Sequence, residues 1–209
     1  MKMNRVFFAA ATAYILFALS ACTHNVKFEL AKNYQDVKPY VIAVLPVIWD
    51  SKPDLTDANV ERAARLFREM SFERLKSMDY GLIRLEEIDG AYKEKSGFAS
   101  AKTTDVVKAL NADAVLFIRV IDWDTSLFAT YSALKLKAIF ELYSKDGTLL
   151  WQAKYKTKES DIRLERKPGE LAVITAYEPR VQRFIDAVLA TLPKGEPPSE
   201  RRTFFEWLP

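Results

Sequence analysis

The chain has 209 residues, 49% hydrophobic and 28% charged, which is long enough for one domain with a real core and too apolar for a disordered chain. Its formal charge is +3, and because Lys2 and Arg5 precede residue 22 while no acid does, the remainder carries +1. Overall charge therefore does not argue for nucleic acid, none is expected as a partner, and any electrostatic partner must be met by a local patch.

Lys2 and Arg5 form a basic head, followed by the apolar run Phe7 to Leu19, broken only by Thr12. The run is shorter than the roughly 20 residues of a membrane span and has the length of a signal-peptide core. It ends in Leu19-Ser20-Ala21-Cys22, which resembles the lipobox of bacterial lipoproteins. Residues 1–21 are then a signal peptide cut after Ala21, and the Cys22 thiol carries lipid. Thr23, where Asp would resemble an inner-membrane retention signal, points to the periplasmic face of the outer membrane. Several buried acyl chains make a stable anchor. Cys22 and His24 are the single Cys and the single His. An internal disulfide and a multi-histidine metal site are thereby excluded, and His24 reads as a solvated tether residue.

Residues 22–38 are expected to be a tether, and 39–192 a single α/β domain. Tyr40 to Val47 is a β-branched apolar run, read as a strand buried on both faces. Ile48 to Leu55 follows as a loop. Thr56 or Asp57 caps a helix to about Met78, with Val60, Ala63, Ala64, Phe67, Met70 and Met78 inward. Glu61, Arg62, Arg65, Arg68, Glu69, Glu73 and Lys76 read as its solvated face. Tyr80 to Leu85 is a short strand, Glu86 to Ala101 is less regular, and Thr103 to Leu110 is a short helix. Ala114 to Ile121 is the third strand, and Asp122 to Thr130 a loop.

Tyr131 to Tyr143 and Thr148 to Lys158 alternate in polarity around Asp146-Gly147, a hairpin turn signal. With those two as loop residues, Leu142 faces Trp151, Phe140 faces Ala153, Ala138 faces Tyr155 and Leu136 faces Thr157. A helical region runs from about Gly169 to Leu192, where Pro179 either kinks it or starts a second helix. Residues 193–209 form a proline- and aromatic-bearing tail. The order β-α-β-α-β, then hairpin, then helix, predicts a mixed sheet with parallel strands first and antiparallel ones after.

No Rossmann fingerprint, P-loop, nucleophile elbow or Cys/His cluster is present in the sequence, so neither enzyme activity nor a cofactor or metal is expected. Asp50, Asp54, Asp122 and Asp124 fall in loops after strands, where open α/β sheets bind ligands. They are either an acidic ligand-binding or hydrolytic site, or simple loop and turn residues. In the hairpin register Lys135 faces Lys158 and Lys137 faces Lys156, with Lys154 beside them. Such a ladder either meets an acidic partner or anionic headgroups, or keeps an outer face soluble. Phe204, Phe205 and Trp207 in the tail pack on the domain itself or on another chain.

The lipobox, the strand YVIAVLPV and the stretch from Leu110 to Trp151 together resemble a family of bacterial lipoproteins of unknown function. The resemblance covers most of the chain after Cys22. It is sharpest at Asn111-Ala112-Asp113-Ala114, at Trp123 and at the Asp-Gly-x-Leu-Leu-Trp hairpin ending in Trp151. It implies a fold similar to the amino-terminal domain of the periplasmic translocation protein TolB. It also implies a secretion- or transport-related envelope assembly role, beside lipoproteins resembling the curli secretion channel, and names no catalytic residue. The expected partners are the membrane, through the lipid, and other envelope lipoproteins or further copies of the chain.

Overall fold

The computed structural model describes residues 26–50, 57–94, 101–125, 133–160 and 177–198. Among them are β1 (Lys27–Leu30), α1 (Tyr34–Val37), β2 (Val41–Val44), β3 (Ile48–Trp49), α2 (Asp57–Lys76), β4 (Gly81–Leu82) and α3 (Leu85–Glu94). The chain continues with α4 (Thr103–Ala109), β5 (Ala114–Asp124), β6 (Ala133–Ser144), β7 (Leu149–Ser160) and α5 (Glu178–Leu189). All strands join one mixed sheet in the order β1-β7-β6-β5-β2-β4, with β3 paired to β5 beyond β2. β2 runs parallel to β4 and β5, whereas β5–β6, β6–β7 and β7–β1 are antiparallel. The architecture is therefore the expected mixed α/β sheet.

β2 alternates between two cores. Ile42 and Val44 join the larger one, with Phe67 and Leu75 of α2 and Phe184, Ile185 and Val188 of α5. Ala43 and Leu45 join the smaller one, with Ile88 of α3 and Val106 and Val107 of α4. A strand covered on both sides has no polar face to present, which is why its sequence is a continuous apolar run. α5 begins with Pro179 in its first turn, so this proline starts a helix, where a missing N–H costs nothing.

The hairpin register is the expected one from Leu142 outward: Leu142 faces Trp151, Phe140 faces Ala153 and Lys137 faces Lys156. The turn is longer than two residues. The Gly147 N–H donates to the Ser144 carbonyl (2.9 Å), and the Ser144 N–H donates to the Thr148 carbonyl (2.9 Å). Gly147 takes φ +84°, open to glycine without a Cβ penalty. The Asp146 carboxylate accepts from the Ser144 hydroxyl and the Thr148 N–H, and these bonds, the first above all, hold its carboxyl below the usual range. The register shifts between Leu142 and Tyr143, so Leu150 is an extra residue on β7. Leu150 and Trp151 are both fully buried, as a bulge that turns two successive side chains inward allows.

Other expectations need correction. Residues 27–38 are not free tether: Lys27–Leu30 pairs with β7 from Lys154 to Trp151 as the edge of the sheet. Ile48 and Trp49 pair with Arg119 and Val120 rather than lying in a loop. Residues 85–94 are helical, with Glu86 and Glu87 in the first turn, where acids favour the helix dipole. Arg68 is not on a solvated face. It is 8% exposed, and its Nε donates to the Val44 carbonyl at 3.0 Å while a terminal nitrogen meets Asp89 at 2.5 Å. The guanidinium thus satisfies a carbonyl at the end of β2 that the sheet leaves open. The Asn111–Ala114 motif is structural as well. Asn111 takes φ +50° after α4, and the Asp113 carboxylate accepts from the Val41 N–H at 2.9 Å, which starts β2.

The fold also extends past Leu192. The Tyr80 hydroxyl donates to the Pro193 carbonyl (2.7 Å), so the Tyr34 hydroxyl donates to the Tyr80 oxygen (2.8 Å). The Gly195 N–H donates to the Met78 carbonyl (2.8 Å). A Cβ on Gly195 would stand 2.7 Å from the Asp79 carbonyl oxygen, so glycine is what lets residues 193–198 lie against the body. Burial raises both tyrosine hydroxyls above their ordinary pKa, Tyr80 most strongly and with Tyr34 adding to it. The neutral form is therefore favoured by folding. Its contribution is complete below about pH 10, the ordinary tyrosine value, and is lost as pH rises above it. The unfolding midpoint of the wild type is expected to fall above about pH 10 more steeply than that of Tyr80→Phe; parallel pH profiles would contradict this linkage.

Candidate functional site

The sheet is covered unequally. α2 and α5 span the face bearing Phe140, Trp151 and Tyr155, whereas on the opposite face α3 and α4 cover β2, Val115, Phe117 and Tyr143. Past Tyr143, the outer surface of β6, β7 and β1 is open among the described residues, and Lys27, Lys137, Lys154 and Lys156 on it are exposed.

Residues on this face follow from the pairing. In one row Arg119 of β5 stands opposite Ile139 of β6, then Lys154 of β7, then Lys27 of β1. The next row holds Asp122, Lys137 and Lys156, and the last Asp124, Lys135 and Lys158. A depression of about 420 Å³ opens here, lined by Lys27, Lys137, Ile139, Lys154 and Lys156. Lys27 is missing from the ladder expected from sequence because β1 carries too short a pattern to be read as a strand.

Asp122 and Asp124 do not lie in a loop. β5 runs through them to Asp124, with a register shift between Val120 and Asp122 that makes Ile121 an extra residue on β5. Before the bulge the even-numbered residues Ile118 and Val120 point to the large core. After it Trp123 is buried instead, and the two aspartates face outward beside the lysines. One extra residue thus reverses the alternation. Trp123 meets Phe67, Trp49 and Tyr177 edge-on with centroids 5.4–6.0 Å apart, a favourable aromatic geometry.

Two of the acids, Asp50 and Asp124, are engaged with bases. The Asp124 carboxylate accepts from Lys135 Nζ at 2.5 Å. Asp50 accepts from both Nε (3.3 Å) and a terminal nitrogen (2.8 Å) of Arg119. That bond above all raises the Arg119 guanidinium above its ordinary value. Asp50, Asp122 and Asp124 all stand at the end of the sheet where β5 finishes, yet what the structure brings together is an ion-paired border on β5 and a field of exposed lysines on β6, β7 and β1, with Glu141 and Glu29 in the row beyond Lys154 on the same face. Among the described residues no group of three or more His, Cys, Asp or Glu could hold a metal. Leu19, Ser20, Ala21, Cys22, Asp54, Phe204, Phe205 and Trp207 lie outside the described residues.

No family model matches the chain, and no curated protein matches it closely. Among solved structures it is similar to a PelC dodecamer from Paraburkholderia phytofirmans, with 14% identity over 79% of this chain and 96% of that one, TM-score 0.48. It is also similar to the lipoprotein GNA1162 from Neisseria meningitidis, with 17% identity over 69% of this chain and 99% of that one, TM-score 0.48. The hypothetical protein CT253 from Chlamydia trachomatis is similar at 16% identity over 71% of this chain and 85% of that one, TM-score 0.42.

Proposed function

We propose that this chain is an exported lipoprotein, held through Cys22 at the periplasmic face of the outer membrane, that works as a non-enzymatic binding or assembly subunit of an envelope complex. The observation that carries the reading is the basic head, apolar run and Leu19-Ser20-Ala21-Cys22, with the first strand residue, Lys27, only five positions after the cysteine. A folded domain that begins this close to the cysteine needs no other attachment. Among the described residues no helix is long and apolar enough to cross a membrane. The carboxylates of Asp50 and Asp124 are taken up by Arg119 and Lys135, which supports a binding role over an open acidic site.

Cys22→Ser tests the anchor. The variant is expected to lose palmitate labelling and either to leave the membrane fraction or to remain uncleaved, while the wild type is labelled and sediments with outer membranes. A variant that still takes up palmitate and fractionates like the wild type would sink the reading.

A further inference from the structure

We infer that the lysine face of β1, β6 and β7 lies against the anionic phospholipid headgroups of the membrane that holds the chain. The inference rests on the anchoring at Cys22 proposed above and adds the orientation of the domain. Lys27, Lys137, Lys154, Lys156 and Lys158 are exposed on one face. Among the described residues none of the five has a carboxylate within ion-pair distance. Like charges directly opposite each other, as in the pair Lys137 and Lys156, are unfavourable within a sheet. Guarding a free strand edge accounts for Lys156 and Lys158, which lie beyond the stretch of β7 paired to β1. It does not account for Lys154, paired on both sides, or for Lys137 on the interior strand β6.

Chain length and direction name the occupant. From Cys22 to Lys27 is five residues, at most about 17 Å when fully extended. β1 is antiparallel to β7 with Lys27 opposite Lys154, so the chain enters the sheet from the end that holds Lys156 and Lys158. The lysine rows extend about 14 Å from Lys154 to Lys158. A lipid-anchored chain therefore keeps the near end of this field within a tether length of the headgroups, at most about two Debye lengths of about 8 Å each at physiological salt.

The test uses the processed chain, residues 22–209 with Cys22→Ser, so that no acyl chain contributes to binding. It is expected to sediment with vesicles of phosphatidylglycerol and phosphatidylethanolamine, to be released by high salt, and to leave phosphatidylcholine vesicles unbound. The pair Lys154→Glu and Lys156→Glu should weaken partition about 25-fold or more, at about fivefold for each lysine near an anionic surface. Arg62→Glu with Arg65→Glu, the same charge change on the exposed side of α2, should weaken it far less. Equal binding to both vesicle types, binding to neither, or equal loss in the two variants would overturn the proposal, binding to neither leaving the face to an acidic protein. Palmitate labelling of Cys22 in the full chain is read separately, so a failed anchor and a failed face are distinguishable.

Discussion

Trp151→Ala is expected to lower the unfolding free energy by about 3–5 kcal/mol, the usual cost of emptying a buried aromatic site. Trp151 is fully buried between Leu142 on β6 and Leu30 on β1, and its indole N–H donates to the Thr191 hydroxyl at 3.2 Å. Removing it opens a cavity where the bulge at Leu150 has turned two side chains inward, and it leaves Thr191 with one bond fewer. Gln152, the next residue, stands on the opposite face, and Gln152→Ala should cost less than about 1 kcal/mol. Denaturant unfolding of the three proteins checks the pair; similar losses at both positions would mean that the hairpin is out of register.

Trp123→Ala should also cost about 3–5 kcal/mol, and here the competing expectation is sharp. If residues 122–130 formed a loop throughout, an exposed tryptophan there would contribute within about 0.5 kcal/mol. The bulge at Ile121 places Trp123 instead against Phe67, Trp49 and Tyr177, so its loss unpacks α2, β3 and the start of α5 together. A midpoint unchanged from wild type in urea would contradict the bulged strand.

The same residue shows where the sequence stops being legible. Strict alternation identifies β6 and β7 and fixes their register, because Leu136, Ala138, Phe140 and Leu142 meet Thr157, Tyr155, Ala153 and Trp151 on one face. In β5 the alternation reverses at Ile121, so reading by period two ends the strand there and sends Asp122 and Asp124 into a loop. Only the third dimension shows that they border the lysines. β1 is hidden for a different reason: four residues, all exposed, on an edge give too little pattern to separate from a tether. α3 is obscured by Gly90, which reads as a turn, although a Cβ there would meet nothing within 4 Å. The spacing of Leu85, Ile88, Ala91 and Tyr92 is its available signal. Arg68 cannot be told from Arg62 or Arg65 by type. What distinguishes it is the open carbonyl of Val44 at the end of β2, a feature of the fold and not of the helix.

The proposed lipid anchor rests on a local signal, a charge, an apolar length and four consecutive residues, that is independent of the fold. The lysine field is legible only in part, since β6 and β7 supply most of it while Lys27 joins through β1. On the proposed anchoring at Cys22, the short span to Lys27 would hold this sheet face near headgroups.

The most direct measurement is the mass of the amino-terminal tryptic peptide of protein extracted from membranes. The account predicts a peptide that begins at Cys22 and ends at Lys27, with diacylglycerol on the thiol. An unmodified Cys22 inside a longer peptide, or a mature chain that begins at another residue, would contradict it.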